Sequence, residues 1–214
     1  MDTAELKSSL RARIWSARRA LAPAEVAAAA PLIAGHGLAW ARRTVAPGAV
    51  LTAYLGVGVE PPTAGLLTDL HEAGFRIMLP ICLPERQLGW TEWHPGIEFA
   101  RSRYAPVQEP VGTVVPAEQV LAGGPDRPPI AGIVLPATAL DSEGRRLGQG
   151  GGYYDRFLAL AAALGARLPT AAVVYDGEVL ASGEVPADVL DRRVDAALTP
   201  GGIVDLGGAG QTTE

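Results

Sequence analysis

The chain has 214 residues, of which 48% are hydrophobic and 19% charged, so it has enough apolar material for a packed core and is not a disordered chain. Its net charge of −5, from 18 Lys and Arg against 23 Asp and Glu, argues against a duplex nucleic-acid binder. It has no apolar run of membrane-spanning length and no secretory signal pattern, and a single cysteine, Cys82, excludes an internal disulfide. We therefore expect a cytoplasmic protein without a membrane or nucleic-acid partner.

The charge is unevenly distributed along the chain. Residues 1–43 contain seven lysines and arginines but only three acidic residues. The remaining 171 residues contain eleven lysines and arginines and twenty acidic residues. A basic N-terminal region on an acidic body can bind an anion, pair with the body or be solvated. The charge pattern alone leaves these three readings open.

The first predicted element is a helix over residues 4–20, with Thr3 as its cap. Apolar residues recur there at three- and four-residue spacing: Leu6, Leu10, Ile14 and Ala17. Three cations share the neighbouring stripe: Lys7, Arg11 and Arg18. A second helix is predicted over 24–43, broken near Pro31 and Gly35.

Strands and helices then alternate. Strands are predicted over 49–55, 76–83, 130–135 and 170–175, and helices from about 61 to 72, over 116–121 and over 153–164. This alternation predicts the α/β class, as a three-layer α/β/α sandwich with a mainly parallel central sheet. We expect one domain over residues 1–200 and a flexible C-terminal tail over 201–214, which is rich in Gly and Thr.

Residues 86–115 interrupt the alternation, because their aromatic residues lie among polar ones with little helical period. We expect a β-ribbon or a lid over the sheet edge there, with Trp90, Trp93 and Tyr104 in a satellite cluster. Cys82, between Ile81 and Leu83, is expected to be a buried, inert thiol.

The segment from Asp141 to Arg156 carries the clearest chemical signal, since it follows a predicted buried strand and opens a helix. Glycines at 148, 150, 151 and 152 allow backbone N–H groups to converge on an anion beside the positive end of that helix. Arg145, Arg146 and Arg156 add full charges, and Asp155 is placed to hold a metal ion or to brace an arginine. A flexible surface turn is the plain alternative, but it does not explain this concentration of charged residues.

The run RLGQGGGYYDR from Arg146 to Arg156, preceded by Leu135-Pro136 and Asp141-x-x-Gly144, resembles the signature of the 5-formyltetrahydrofolate cyclo-ligase family. The resemblance extends over residues 4–199 through weaker pieces in the same order, among them Lys7-x-x-Leu10-Arg11 and Glu60. Two departures are a Pro136-Ala137-Thr138-Ala139-Leu140 lead into the loop and Leu190 where the family commonly has a polar residue.

The resemblance implies ATP-dependent conversion of 5-formyltetrahydrofolate to 5,10-methenyltetrahydrofolate with release of ADP and phosphate, with ATP and Mg²⁺ as cofactors. We expect the protein to be a monomer. It implies that Arg146 is catalytic, that Asp155 and Asp191 hold Mg²⁺, and that these residues contact ATP: Lys7, Ser8, Ser9, Leu10, Arg11, Arg146, Leu147, Gly148, Gln149, Gly150, Gly151, Gly152, Tyr153 and Tyr154. It implies that these residues line the folate site: Leu55, Glu60, Gln149, Gly150, Gly151, Gly152 and Tyr153.

Two other functions remain open at this point. One is a folate- or nucleotide-binding regulator that keeps the fold and has lost turnover. The other is a sugar-phosphate isomerase or acyl transferase on a similar scaffold, because a fold does not fix a chemistry. An acyl transferase of this kind needs a glutamate nucleophile in a Gly-rich turn, for which Glu143 is a weak candidate.

Overall fold

Eight strands form one mixed sheet at the centre of the computed structural model, which describes residues 2–125, 127–188 and 190–207. The helices are α1 (Thr3–Ala20), α2 (Pro23–Thr44), α3 (Ala64–Glu72), α4 (Ala117–Ala122) and α5 (Tyr153–Ala163), with 3-10 turns at Pro84–Arg86 and Asp176–Glu178. The strands are β1 (Val50–Thr52), β2 (Arg76–Cys82), β3 (Leu88–Trp93), β4 (Phe99–Arg101), β5 (Gln108–Pro110), β6 (Val115–Pro116), β7 (Ile130–Pro136), β8 (Ala139–Asp141), β9 (Arg146–Leu147), β10 (Thr170–Val173), β11 (Val179–Leu180), β12 (Ala196–Thr199) and β13 (Gly202–Asp205).

The strand order in the main sheet is β13-β12-β10-β7-β1-β2-β3-β6. The five strands from β12 to β2 are parallel to one another, whereas β13 at one edge and β3 and β6 at the other pair antiparallel. Two smaller sheets, β11-β8-β9 and β4-β5, lie outside it. The predicted mainly parallel sheet is confirmed.

Helices cover both faces of the sheet, as the alternation of strands and helices predicts. Ile77 and Leu79 of β2 pack in the core beneath α2 and α3, whereas Met78 between them packs with α4 and α5. Neighbouring side chains on a strand point to opposite faces, so a strand covered on both sides is apolar throughout. The three-layer sandwich is confirmed.

The first helix is anchored to the carboxyl ends of two parallel strands by a buried ion pair. The Arg18 guanidinium donates to both carboxylate oxygens of Glu178, at 2.7 Å each, and to the Ala137 carbonyl at 2.9 Å. Ala137 follows β7 and Glu178 lies beyond the end of β10. The cap of α1 is Asp2, not Thr3, because the Asp2 carboxylate accepts the Glu5 N–H and the Glu5 carboxylate accepts the Asp2 N–H.

The second helix runs unbroken through Pro31, so the predicted break is wrong. A proline inside a helix removes one hydrogen bond, and continuous burial of one helix face offsets that loss here. Ile33, Gly37 and Trp40 are buried along that face. Gly37 allows α3 to approach closely, since a Cβ there would lie 2.4 Å from Leu66 Cδ1.

The segment 86–115 contains the predicted ribbon, formed by β4 and β5, but its first part is a strand of the main sheet. Trp90 on β3 is fully buried and packs on Phe157 of α5 with ring centroids 4.7 Å apart. Trp93 contacts His71, and Tyr104 is 52% exposed. The predicted satellite cluster is therefore wrong, because pairing with β2 directs Trp90 into the main core.

The predicted C-terminal tail begins too early, since Gly202–Asp205 forms edge strand β13 against β12. The Asp205 carboxylate also accepts a hydrogen bond from Arg43 of α2 at 2.7 Å. Strand pairing therefore extends the folded domain beyond residue 200. Leu206 is buried as well, and its N–H donates to the Asp195 carbonyl at 2.8 Å. Residues 208–214 of the predicted tail lie outside the described residues.

In the part of the chain that the structure describes, no single helix is long and apolar enough to cross a membrane; α1 and α2 meet the length and composition test only as a pair bent by 105°.

Replacing Arg18 by Met is expected to destabilise the protein by about 3–5 kcal/mol, because it leaves the Glu178 carboxylate buried without its partner. Arg13→Met is the matched control, since Arg13 lies on the exposed side of the same helix and should change stability by less than about 0.5 kcal/mol. Urea unfolding followed by circular dichroism measures both. Equal stability of the two variants would contradict the anchoring role of Arg18.

Candidate functional site

A cleft of about 1140 Å³ opens at the carboxyl edge of the parallel strands. Leu55, Cys82 and Pro136, which lie at or just beyond the ends of β1, β2 and β7, line it. Open α/β sheets bind their ligands at this edge. The remaining walls come from α1, the β4–β5 ribbon and the glycine loop that leads into α5.

The glycine loop, Gly148 to Gly152, needs glycine for two separate reasons. Gly150 and Gly152 have φ angles of 98° and 73°, in the left-handed region that side chains disfavour. Gly148 has no room for a side chain, because a Cβ there would lie 2.7 Å from Nη1 of Arg146. Gly152 is the N-cap of α5, so the loop delivers free backbone N–H groups to the cleft at a helix N-terminus.

Arg146 lies beneath this loop and is nearly fully buried, with 3% of its side chain exposed. Its Nη2 donates to Asp155 Oδ1 at 2.6 Å, and its Nε has no partner among the described residues. The sequence left two roles open for Asp155, and the structure shows the bracing of an arginine. A buried guanidinium with an unsatisfied donor at a cleft wall is suited to an anionic ligand.

The β8–β9 turn sets the position of Arg146, which explains the Asp141-x-x-Gly144 pattern. The fully buried Asp141 carboxylate accepts the backbone N–H groups of Glu143 and Arg145 at 3.1 and 3.0 Å and the Arg145 side chain at 2.7 Å. Gly144 has a φ of 80°, and a Cβ there would lie 2.3 Å from the Val194 carbonyl oxygen. This part of the motif is structural.

Two of the cations that helix α1 contributes to the cleft bind to segments on its other walls. Lys7 Nζ donates to the carboxylates of Asp188 and Asp191, at 2.7 and 2.6 Å, and Arg11 Nε donates to the Gly148 carbonyl at 2.8 Å. Burial alone lowers the pKa of Lys7, but the two carboxylates raise it above its ordinary value. The basic N-terminal region therefore pairs with the acidic body, one of the three readings that the charge distribution left open.

Three residues for which the sequence predicts ATP contacts do not line the cleft. Ser8 and Ser9 are exposed on α1, and Leu10 is buried against Ala139 and Leu147. A helix presents only one stripe to a ligand, and here that stripe carries Lys7 and Arg11. The rest of the predicted ATP set, from Arg146 to Tyr154, lies along the cleft.

The predicted folate residues meet the glycine loop across the cleft. Glu60 Oε2 accepts the Val57 N–H at 2.9 Å, and Glu60 Oε1 accepts a hydrogen bond from the Gln149 carboxamide. Burial raises the pKa of Glu60, although the Val57 N–H and the Arg18 charge oppose that rise. Leu55 lines the same region, so the structure brings the predicted folate residues together.

The two predicted metal ligands both line the cleft, and each is already paired with a cation. Asp155 Oδ1 accepts from Arg146, and Asp191 Oδ2 accepts from Lys7. The second oxygen of each carboxylate has no hydrogen bond from the described residues. Among those residues no group of three or more His, Cys, Asp or Glu forms a metal cluster. Mg²⁺ commonly uses one or two carboxylates with water and phosphate oxygens, so this donor set fits it.

The ribbon side of the cleft is largely apolar and includes the half-buried Cys82. Burial and the neighbouring Glu109 carboxylate raise the pKa of the Cys82 thiol to about 12. The thiol is therefore protonated at neutral pH, which supports the expected inert cysteine, although it lines the cleft instead of lying in the core. The Cys82 N–H donates to Glu109 at 2.6 Å and thereby joins β2 to the ribbon.

Comparisons with known proteins identify the family of this chain. The 5-formyltetrahydrofolate cyclo-ligase family matches residues 3–200. The 5-formyltetrahydrofolate cyclo-ligase of Mycolicibacterium smegmatis is 35% identical over 206 residues, which cover 94% of this chain and 97% of the relative. The chain belongs to the 5-formyltetrahydrofolate cyclo-ligase family. The fold agrees with the 5,10-methenyltetrahydrofolate synthetase of Aquifex aeolicus, with a TM-score of 0.70 and 22% identity over 98% of this chain and 96% of that one. The 5,10-methenyltetrahydrofolate synthetase of Mycoplasma pneumoniae has a TM-score of 0.66 and is 19% identical, and the match covers 92% of this chain and 98% of that one.

Sequence reasoning missed three features of this cyclo-ligase cleft. The first is the Arg18–Glu178 pair: the basic stripe of α1 includes Arg18, but its buried partner lies 160 residues away and no local pattern indicates it. The second is Asp188, whose carboxylate also accepts a hydrogen bond from Lys7. The one signal for it in the sequence is that it is a second acidic residue close to Asp191. The third feature is Tyr54, whose hydroxyl is buried without a partner among the described residues and whose side chain lines the cleft. The hydroxyl of Tyr154, which belongs to the predicted ATP set, is unpaired there in the same way.

Substituting Gly148 by Ala is expected to displace the Arg146 guanidinium and to weaken polyphosphate binding in the cleft about tenfold or more, while the protein still folds. The reason is that the new Cβ would occupy space 2.7 Å from Nη1 of a side chain that its ion pair holds in place. Isothermal titration with ATP and Mg²⁺ measures the affinity. Gly35→Ala is the control, since Gly35 is an exposed helical position with nothing within 4 Å, and it should leave ATP binding unchanged. Unchanged binding in Gly148→Ala would contradict the packing argument.

Proposed function

We propose that this protein uses ATP to convert 5-formyltetrahydrofolate to 5,10-methenyltetrahydrofolate, with release of ADP and phosphate. The observation that carries the proposal is the buried Arg146 beneath a glycine loop, with Lys7 and Arg11 facing the same cleft. A polyphosphate suits this combination of groups: the cations Lys7 and Arg11, the Arg146 guanidinium with its unsatisfied donor, and the N-terminus of α5. Family membership and the agreement of the fold support the proposal.

The reaction needs phosphoryl transfer because a formamide is a poor electrophile. Amide resonance disfavours attack by N10 on the formyl carbon. Transfer of the γ-phosphoryl group to the formyl oxygen releases ADP and converts that oxygen into a leaving group. N10 then bonds to the formyl carbon and loses its proton, and the carbon–oxygen bond breaks to release phosphate. Positioning and charge stabilisation account for most catalysis of this kind.

The residues of the chain divide this work between them. Arg146, Lys7 and Arg11 would bind phosphate oxygens, together with N–H groups of the glycine loop. Asp155 and Asp191 would hold Mg²⁺, which supplies positive charge to the phosphates when it is bound. Both ATP and Mg²⁺ are part of the proposal.

The folate would lie between Glu60 and the glycine loop. A carboxylate accepts hydrogen bonds from the amino and imino edge of a pterin ring, and Glu60 presents one at the carboxyl edge of the sheet. In the structure the Gln149 carboxamide donates to the same carboxylate, as an amino group of the ring would. Leu55 provides an apolar contact beside it.

The alternative functions find less support in this cleft. Glu143, the candidate nucleophile of an acyl transferase, pairs with Arg145 and Arg193 and does not line the cleft. No residue of the proposed catalytic set is missing, whereas a regulator without turnover can lose such residues. Work in the cytoplasm without a nucleic-acid or membrane partner remains the expectation from composition, and a monomer remains an expectation.

The test incubates the purified protein with 5-formyltetrahydrofolate, ATP and Mg²⁺ and follows the absorbance of methenyltetrahydrofolate. We expect product only with ATP, and Arg146→Ala should lower kcat about 10²- to 10³-fold with little change in folate affinity. Arg167→Ala, an exposed arginine away from the cleft, is the control and should match the unmodified protein. Folate binding without product would support the regulator instead, and product without ATP would overturn the phosphoryl-transfer mechanism.

Glu60→Gln is expected to raise KM for 5-formyltetrahydrofolate about tenfold, because hydrogen bonds to a charged acceptor contribute about 1.5–3 kcal/mol. Burial raises the pKa of Glu60, so its carboxylate is protonated as the pH falls through that raised value. Folate affinity should therefore weaken on the acidic side at a higher pH than for an exposed glutamate. Glu60→Gln should lose this pH dependence and the exposed control Glu72→Gln should keep it; the reverse pattern would contradict the assignment.

A further inference from the structure

The cations that line the cleft fall into two sets by their place in the fold. Among the described lining residues, one set comes from α1 and from the segments around the glycine loop and Asp191: Lys7, Arg11, Arg18, Arg19, Arg146, Arg156 and Arg192. Arg86 stands apart, because it comes from the turn between β2 and β3. The first set includes Lys7, Arg11 and Arg146, the cations of the proposed phosphate site. Arg86 therefore needs a separate explanation.

The β2–β3 turn holds Arg86 at the ribbon side of the cleft. The Cys82 N–H at the start of this turn donates to Glu109 of the ribbon at 2.6 Å, and the Leu83 N–H donates to the Gln87 carbonyl at 2.9 Å. Burial raises the pKa of the Tyr153 hydroxyl, and the positive charge of Arg86 opposes that rise. The guanidinium thus acts on the same part of the cleft as Tyr153 and the ribbon.

The backbone of the turn adopts an unfavourable conformation that brings Arg86, and not its neighbour, to the cleft. Glu85 and Arg86 have φ angles of 57° and 59°, in the left-handed region that residues other than glycine rarely adopt. Arg86 lines the cleft, whereas the acidic Glu85 does not. Within the described residues the Arg86 guanidinium makes no hydrogen bond or ion pair, so its five donors are available to a ligand.

The wall beside Arg86 is apolar, so the cleft contains three chemically different regions. Glu60 supplies a hydrogen-bonding carboxylate, and the ribbon side supplies Leu88, Phe99, Tyr104 and Pro110. Arg86 adds an unpaired cation on that apolar side. A ligand that matches these regions has a polar ring, an apolar aromatic linker and an anionic end. 5-Formyltetrahydrofolate has these three parts, in its pterin, aminobenzoyl and glutamate groups.

We propose that Arg86 binds a carboxylate of the glutamate group of the folate substrate and so determines the preference of the cleft for substrates that carry it. The inference rests on the proposed function, because it assumes that a folate occupies the cleft. Arginine suits this role, since its planar guanidinium pairs with a carboxylate through two parallel hydrogen bonds. At an exposed rim such a pair contributes up to about 1 kcal/mol, which corresponds to about a fivefold change in affinity.

The test compares the unmodified protein, Arg86→Gln and the control Arg103→Gln on two substrates at saturating ATP and Mg²⁺. One substrate is 5-formyltetrahydrofolate, and the other is 5-formyltetrahydropteroate, which lacks the glutamate. Glutamine has the same disadvantage as arginine at a positive φ, so the strain in the turn is retained. Arg103 is exposed on the ribbon and does not line the cleft.

We expect Arg86→Gln to raise KM for 5-formyltetrahydrofolate about fivefold and to leave KM for the pteroate unchanged. For the unmodified protein, KM for the pteroate should exceed KM for 5-formyltetrahydrofolate by a similar factor. Arg86→Lys should restore part of the affinity for 5-formyltetrahydrofolate that Arg86→Gln loses. Added salt should reduce the difference in KM between the unmodified protein and Arg86→Gln. An equal rise for both substrates, a rise in the KM for ATP instead, or no difference from Arg103→Gln would overturn the role of Arg86. Failure of the proposed function is distinguishable, because the unmodified protein would then form no product from either substrate.

Discussion

The attachment of the first helix to the carboxyl edge of the sheet is the interaction on which the cleft depends. Three cations on one face of α1 meet three distant segments: Arg18 pairs with Glu178, Arg11 reaches the glycine loop and Lys7 joins the segment around Asp191. Only the Arg18 pair is fully buried, and removal of one partner from such a pair is far more costly than the net contribution of the pair. Arg18 therefore fixes the helix, and the other two cations are carried to the cleft.

The glycine loop follows from a second constraint, the space that the Arg146 guanidinium occupies. Asp155 holds that guanidinium from the first turn of α5, and Asp141 shapes the turn that leads to it. Gly148 must then lack a side chain, and Arg11 closes the loop from above through the Gly148 carbonyl. The motif thus combines residues that support the arginine with residues that leave N–H groups free. Its parts depend on one another, which explains why so many glycines and charged residues lie in one short segment.

Much of this arrangement could be predicted from local sequence, and the rest depended on contacts between distant segments. The βα alternation and the stripe of Lys7 and Arg11 are local periodicities, so the sandwich and the basic wall were predictable. The prediction for Trp90 is wrong because its burial depends on the pairing of β3 with β2. The prediction for Gly202–Asp205 is wrong because these residues form a strand only by pairing with the edge of β12, which their own sequence does not indicate. The Arg18–Glu178 pair spans 160 residues and has no local signal.

Charge balance connects the fold to the proposed chemistry. Lys7 and Arg146 both donate to carboxylates, so these two cations of the cleft are neutralised by Asp191 and Asp155. A polyphosphate competes with those carboxylates for the same donors, and a divalent cation competes with the donors for the same carboxylates. Binding of the two together gives new partners both to these cations and to these carboxylates, whereas binding of either alone leaves one of the two kinds of group without a partner in a partly buried site. On the proposed function, ATP with Mg²⁺ should therefore be a better ligand than free ATP, because the Lys7–Asp191 and Arg146–Asp155 pairs offer partners to both.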